Sequence, residues 1–155
     1  MIKVAICLSG QPRMVKNSLN NIIETFSSIN VELDFFTHVW VDDDLRGKPF
    51  RIDTPTDIFT DDIESYLLKT LNPKKIRFDK QIIFYDVFLD SKHYPCFNQV
   101  KNKNPSQNIQ SMFYSIYKAN ELKKEYENEN GFKYDMVIRC RFDYFFTEKY
   151  DLIDF

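Results

Sequence analysis

The chain has 155 residues, 43% of them hydrophobic and 28% charged, with a formal net charge of −2 at pH 7. That length favours a single domain, able to bury about two thirds of the surface its unfolded chain exposes, and the composition rules against intrinsic disorder. The near-neutral charge rules against non-specific nucleic-acid binding, which needs a basic field.

Aromatic residues reach 16%. They accompany a general bias toward Asn, Lys, Ile, Phe and Tyr, so they are read as background and not as a binding surface. Three cysteines, Cys7, Cys96 and Cys140, are far apart and fit no zinc or redox spacing. Cys7 and Cys140 lie in strand-like runs, where Cys acts as a small buried hydrophobe, and this suits a reducing compartment. The N-terminal VAICL is too short for a signal-peptide core, and no apolar run approaches the roughly 18 residues of a membrane helix. The expectation is a cytoplasmic protein without a membrane span.

In chain order, Met1 to Leu8 reads as a continuous apolar strand of the kind buried on both faces. The turn Ser9-Gly10-Gln11-Pro12-Arg13 follows. A helix is predicted over 12–28, with Pro12 at its first position and Val15, Leu19, Ile22, Phe26 and Ile29 as its apolar stripe. Val31 to Val41 is a second strand, stopping at Asp42-Asp43-Asp44. Strand, helix, strand makes a βαβ unit with parallel strands. Residues 45–56 read as a loop, 61–71 as a helix with Ile63, Leu67 and Leu71 on one face, and 74–78 as a short strand. A further apolar run, 81–89, suggests another strand, and 91–104 is polar and irregular. The longest helix is predicted over 104–128, with Ile109, Met112, Phe113, Ile116 and Ala119 as its apolar stripe and Gly131 as its stop. Last comes a strand over 134–146 that reads as central. The alternation predicts an α/β fold with a mostly parallel sheet, in one domain spanning 1–155.

In such sheets ligands bind beyond the C-terminal ends of the strands. Three of these ends carry polar groups. The turn from Ser9 to Arg13, at a helix N-terminus, suits an anion, or is a plain connection. After the second strand come His38, Trp40 and the acidic pair Asp42 and Asp44, which suits Mg²⁺ or Mn²⁺ on a diphosphate, or is a solvated loop. In the last strand Arg139, Arg141 and Asp143 alternate onto one face while Cys140, Phe142 and Tyr144 take the other. Two guanidiniums suit a diphosphate, and the carboxylate suits a metal or a sugar hydroxyl. An edge strand with a solvated face, or a plain Arg139–Asp143 pair, is the plainer reading. On the long helix Gln107, Ser111, Tyr114 and Lys118 share one face, either solvated or bordering that arginine cluster.

The segments ICLSGQPR, DFFTHVW, LNPKKIRFDKQ, QSMFYSIYKANELKKEYE and YDMVIRCRFDYFF, in this order, resemble a group of bacterial and viral glycosyltransferase-like proteins of surface-polysaccharide synthesis. The shared features are an SGQ-R turn, an F-H-W strand and an IR-R-D strand, and the resemblance covers nearly the whole chain. It implies the Rossmann-like nucleotide-diphospho-sugar transferase fold called GT-A, in which an Asp-x-Asp motif holds a divalent cation, Mn²⁺ or Mg²⁺, on the diphosphate. By resemblance Asp143 is the last acid of that motif, with Arg141 standing at the first position. An arginine there can neutralise a leaving diphosphate without a metal. The turn from Leu8 through Ser9, Gly10 and Gln11 to Arg13 would hold the nucleotide, helped by His38, Gln107, Ser111, Tyr114 and Lys118. Asp42 and Asp44 are the rival acidic site. The family usually continues into a C-terminal acceptor-side segment, and by that resemblance the domain over 1–155 is expected to lack much of it. Glu148, Asp151 and Asp154 offer no clear catalytic base.

The expected function is therefore transfer of a sugar from a nucleotide-diphosphate donor to an acceptor hydroxyl, on a glycan or another molecule. Arg139, Arg141 and Asp143 are the expected catalytic residues. The alternatives are a non-catalytic sugar-nucleotide-binding module or a truncated or decayed transferase, and a structural α/β interaction domain.

Overall fold

The computed structural model describes residues 1–42, 62–84, 105–150 and 152. Over these the chain runs β1 (Ile2–Gly10), α1 (Val15–Phe26), β2 (Val31–Trp40), α2 (Ile63–Leu71), β3 (Lys75–Asp79), α3 (Pro105–Asn130) and β4 (Met136–Cys140). The four strands pair in parallel in the order β3-β2-β1-β4. This is the α/β architecture expected from the sequence, compatible with a Rossmann-like fold. The predicted strand over 81–89 is not one at 81–84, and its remainder lies outside the described residues, as does the predicted loop over 45–56.

β1 and β2 are central because their apolar runs are continuous. Every residue of β1 from Val4 to Ser9 is buried. Val4, Ile6 and Leu8 point with Phe35 and Val39 into a core closed by α1 and α2. Ala5 and Cys7 point with Phe36 to the other side, where α3 covers them. On α1 the predicted stripe of Val15, Leu19, Ile22 and Phe26 is buried. Full burial of a side chain such as Leu19 or Ile22 contributes about 1.5–3 kcal/mol. On α2 the predicted Ile63, Leu67 and Leu71 are buried too, and Asn72 ends that helix in the left-handed conformation at φ 42°.

Three expectations are corrected. Helix α1 begins at Val15, not Pro12, because Met14 takes a left-handed conformation at φ 52° and breaks the helical run before it. It ends at Phe26, so Ile29 lies beyond it and is 94% exposed. The long helix has the predicted extent but buries a different face. Ser115, Ala119, Lys123 and Glu127 are buried, one every fourth residue; of the predicted stripe Ala119 is buried with them, whereas Phe113 is 61% exposed. The reason is that these polar residues are satisfied where they pack: Ser115 meets His38 of the sheet, and Lys123 and Glu127 meet each other and the segment that leads into β4.

The third correction concerns β4. It ends at Cys140, and among the described residues it is an edge strand, not a central one. Beyond Cys140 the chain leaves the sheet because α1 holds it. The Asn21 amide makes a two-point clasp on Phe146, its Oδ1 accepting from the backbone N–H at 2.7 Å and its Nδ2 donating to the carbonyl at 3.0 Å. The Ser18 hydroxyl donates to the Phe142 carbonyl. Residues 141–146 therefore form a turn against α1 with Phe142 buried beneath it.

The opposite end of the sheet is closed by a buried polar group. The Tyr134 hydroxyl donates to Asp34 at 2.6 Å. The Glu127 carboxylate accepts from Lys123 at 2.9 Å, from the Tyr134 N–H at 3.1 Å and from Lys133 at 3.1 Å. Burial works to raise the Glu127 carboxyl, but the hydrogen bonds from Lys123, Tyr134 and Lys133 outweigh it and bring it from 4.5 down to about 2.

Two predictions follow from these anchors. Asn21→Ala removes both hydrogen bonds to Phe146, and urea unfolding is expected to show a loss of about 1–2 kcal/mol with an unchanged slope. Glu127 binds fewer protons folded than unfolded, so its contribution is complete above pH 4.5 and is lost as pH falls from 4.5 toward about 2. The Tm should drop over that window, and Glu127→Gln should flatten the drop while lowering Tm at neutral pH.

Candidate functional site

The strand order reverses at β1. Strands β2 and β3 lie to one side of it with α1 and α2 on one face, and the chain then returns through α3, on the other face, to place β4 on the far side. Such a reversal opens a crevice at the C-terminal ends of the strands. A cleft of about 400 Å³ lies there, bounded by the end of β1, the end of β4, and the first half of α3.

From β1 come Ser9, Gly10, Gln11 and Arg13. Gly10 sits at φ 120°, where a side chain is strained even though the space beside it is open, so the backbone bend is what requires glycine. The turn is tight, with the Arg13 N–H donating to the Gln11 carbonyl at 2.8 Å and the Arg13 guanidinium to the Gln11 side chain. Because α1 starts at Val15, the bend from Ser9 to Arg13 faces the cleft as a turn of its own, not as the first turn of a helix.

From β4 comes Arg139, and from the turn just after it Arg141. Arg139 lies beside Cys7, on the face covered by α3. Three arginines thus line the cleft, and none of its described lining residues is a carboxylate. The excess of guanidinium makes it an anion site in chemical terms.

Asp143 does not line the cleft. Its two oxygens accept from Arg141 Nε at 2.8 Å and Nη2 at 2.7 Å, a bidentate pair. A divalent cation on Asp143 would have to displace that guanidinium. Of the rival pair, Asp42 follows β2 and Asp44 lies outside the described residues. Among the described residues no three His, Cys, Asp or Glu side chains are grouped closely enough to hold a metal. The described residues therefore do not fit a resident cation.

The remaining predicted residues divide. Leu8 is fully buried in the core on the α1 side, away from the cleft. His38 is fully buried behind the cleft wall, with Ser115 Oγ 2.7 Å from its Nδ1 and Asp79 Oδ2 3.1 Å from its Nε2. Burial lowers the imidazole below its ordinary 6.5, against the opposing pull of Asp79, so it is neutral at pH 7. Burial also works against the Asp79 carboxylate, but hydrogen bonds from Arg77 and His38 outweigh it and hold it below its ordinary value. On α3 only Ser111 of the predicted face lines the cleft. Gln107 instead clasps the segment after β3, its Oε1 accepting from the Phe84 N–H at 2.8 Å and its Nε2 donating to the Ile82 carbonyl. Tyr114 stacks on Trp40 with ring centres 5.4 Å apart, and Lys118 pairs with Glu121 at 2.7 Å.

Trp40, Gln81, Asn108 and Ser115 also line the cleft. Trp40 is at once core and cleft wall. Gln81, Asn108 and Ser115 are not singled out by the sequence. Ser115 sits one residue after Tyr114, and the fourfold spacing Ser111, Ser115, Ala119 of small residues was the available signal for the inner face.

Trp40 is the single tryptophan and is 4% exposed. Its fluorescence should be blue-shifted from that of free indole and protected from the neutral quencher acrylamide, and an anion filling the cleft should change its intensity. Comparison with protein-family models, with curated proteins and with solved structures returned no match.

Proposed function

We propose that this chain binds a nucleotide-diphosphate sugar in the cleft and transfers the sugar to an acceptor hydroxyl. The observation that carries the reading is the meeting of Arg139, Arg141 and the Ser9–Arg13 turn in one cleft at the strand-order reversal, with no described carboxylate in its lining. In this reading Arg139 and Arg141 hold the diphosphate, and the turn holds the nucleotide. Attack by the acceptor oxygen on the anomeric carbon breaks its bond to the diphosphate oxygen. The negative charge that develops there is met by fixed guanidiniums, which contribute most when they are already in place.

A second reading is a sugar-nucleotide-binding module without transfer. The bidentate engagement of Asp143 by Arg141 favours it, because it leaves that carboxylate occupied as a partner of arginine. Binding of a donor without its hydrolysis or transfer separates this reading from the enzyme.

The test is a thermal-shift panel of UDP, GDP, CDP and CMP and their sugars, with and without Mn²⁺. A ligand at about a hundred times its Kd should add roughly 2.7 kcal/mol of stability. Arg139→Ala should weaken nucleotide-diphosphate binding about 10-fold or more, as expected for lost charge-assisted hydrogen bonds. Arg141→Ala should cost more, because it also leaves the Asp143 carboxylate unpaired near the diphosphate, and adding Asp143→Ala should recover part of the loss. Folded Arg139→Ala and Arg141→Ala variants with wild-type nucleotide affinity would refute the assignment.

A further inference from the structure

The chain of side chains Asp79–His38–Ser115 runs from the end of β3 to the floor of the cleft, and the diphosphate-binding residues make no use of it. Each link constrains the next. The Asp79 carboxylate only accepts, and Arg77 Nε donates to both its oxygens at 2.9 and 2.8 Å. His38 Nε2, 3.1 Å from Asp79, must therefore carry the hydrogen. A neutral imidazole has one N–H, so Nδ1 keeps a lone pair and accepts from the Ser115 hydroxyl 2.7 Å away. A serine has one hydrogen to give, and this one goes to His38. Ser115 is 1% exposed and lines the cleft, and what it has left to offer there is lone pairs.

The groups packed around His38 agree with that assignment. From β2, Trp40 stands edge-on with ring centres 4.8 Å apart. From α3, Tyr114 stands edge-on at 5.7 Å and directs its hydroxyl to Asp79 at 3.4 Å. Arg77 from β3 and Lys118 from α3 are cationic and disfavour a second proton on the ring.

We propose that Ser115 is a specificity-determining residue of the cleft: with its hydrogen held by His38, it offers an acceptor-only oxygen to a hydroxyl of the bound ligand. Asp79 and His38 are positioning residues that act through it. The inference rests on the nucleotide-sugar reading for the identity of the ligand, whose hydroxyl belongs either to the ribose or to the sugar. It explains why a histidine with two fixed partners stands behind an arginine-lined anion site. The arginines recognise charge, whereas Ser115 recognises a donor hydrogen that a bare phosphate lacks.

The experiment combines imidazole ¹⁵N NMR with binding of UDP, GDP and CDP and of their sugars. Wild-type His38 should show the Nε2–H tautomer at pH 7. Ser115→Ala should bind about 3- to 10-fold more weakly, the cost of one hydrogen bond. Equal weakening for nucleotide and nucleotide sugar assigns the ribose hydroxyl, and weakening confined to the nucleotide sugar assigns the sugar hydroxyl. Asp79→Ala removes the acceptor that keeps the hydrogen on Nε2 and frees the Ser115 hydrogen to turn toward the cleft. Affinity should then fall toward that of Ser115→Ala although every cleft side chain is unchanged, which a purely structural role does not produce. An Nδ1–H tautomer in the wild type, or wild-type affinity in folded Ser115→Ala and Asp79→Ala variants, overturns the proposal. Absence of any nucleotide binding by the wild type overturns the nucleotide-sugar reading and this inference together, and is thereby distinguished from failure of this inference alone.

Discussion

The structure depends on how a largely polar helix is held against a sheet. Helix α3 covers one side of β1 and β2, and most of what it buries there is not apolar. At one end Glu127 gathers Lys123, Lys133 and the Tyr134 backbone, and Asp34 takes the Tyr134 hydroxyl. At the other end Ser115 meets His38 and Asp79. Between them a small apolar cluster of Ala5, Cys7, Phe36 and Ala119 completes the contact. Buried polar groups are costly when unpaired, so these networks tolerate one placement of the helix and penalise a slip along the sheet. The apolar core on the α1 side supplies burial energy, and the polar side fixes the register. The cleft inherits that register, since its floor is α3.

How far the sequence foretold this differs between the two faces. The α1 side was legible because Val15, Leu19, Ile22 and Phe26, and Ile63, Leu67 and Leu71, are apolar residues at helical spacing over continuous apolar strands. The α3 side was not, because its inner face reads Ser, Ala, Lys, Glu and looks solvated unless the polar partners on the sheet are known. The early end of β4 was hidden for a related reason. MVIRCRFDYFF keeps its alternation past Cys140, and what stops the strand is remote: Asn21 and Ser18 of α1 claim the backbone of Phe146 and Phe142.

The candidate site was legible at its charges and obscure at its neutral groups. Ser9 to Arg13, Arg139 and Arg141 were picked out by chemistry at predicted strand ends, and they do meet. The grouping of Asp143 with them needs restating, because the turn swings it off the strand face and leaves it clamped by Arg141. The resemblance puts His38 among the residues that hold the nucleotide. It is buried and fully bonded, and it reaches the cleft only through a serine that periodicity alone did not single out.

The attachment of residues 81–84 has a consequence for how the cleft can change over evolutionary time. Gln107 grips the Ile82 carbonyl and the Phe84 N–H, and Gln81 donates to Ser111 at 2.9 Å. Gln107 bonds backbone atoms and ignores the side chains of the segment it holds. The side chain of Ile83, 74% exposed, is therefore released from any duty in anchoring its own segment. Substitution there can retune the surface beside the cleft without loosening the clasp or the parallel sheet, so new specificity can be tried at little structural risk.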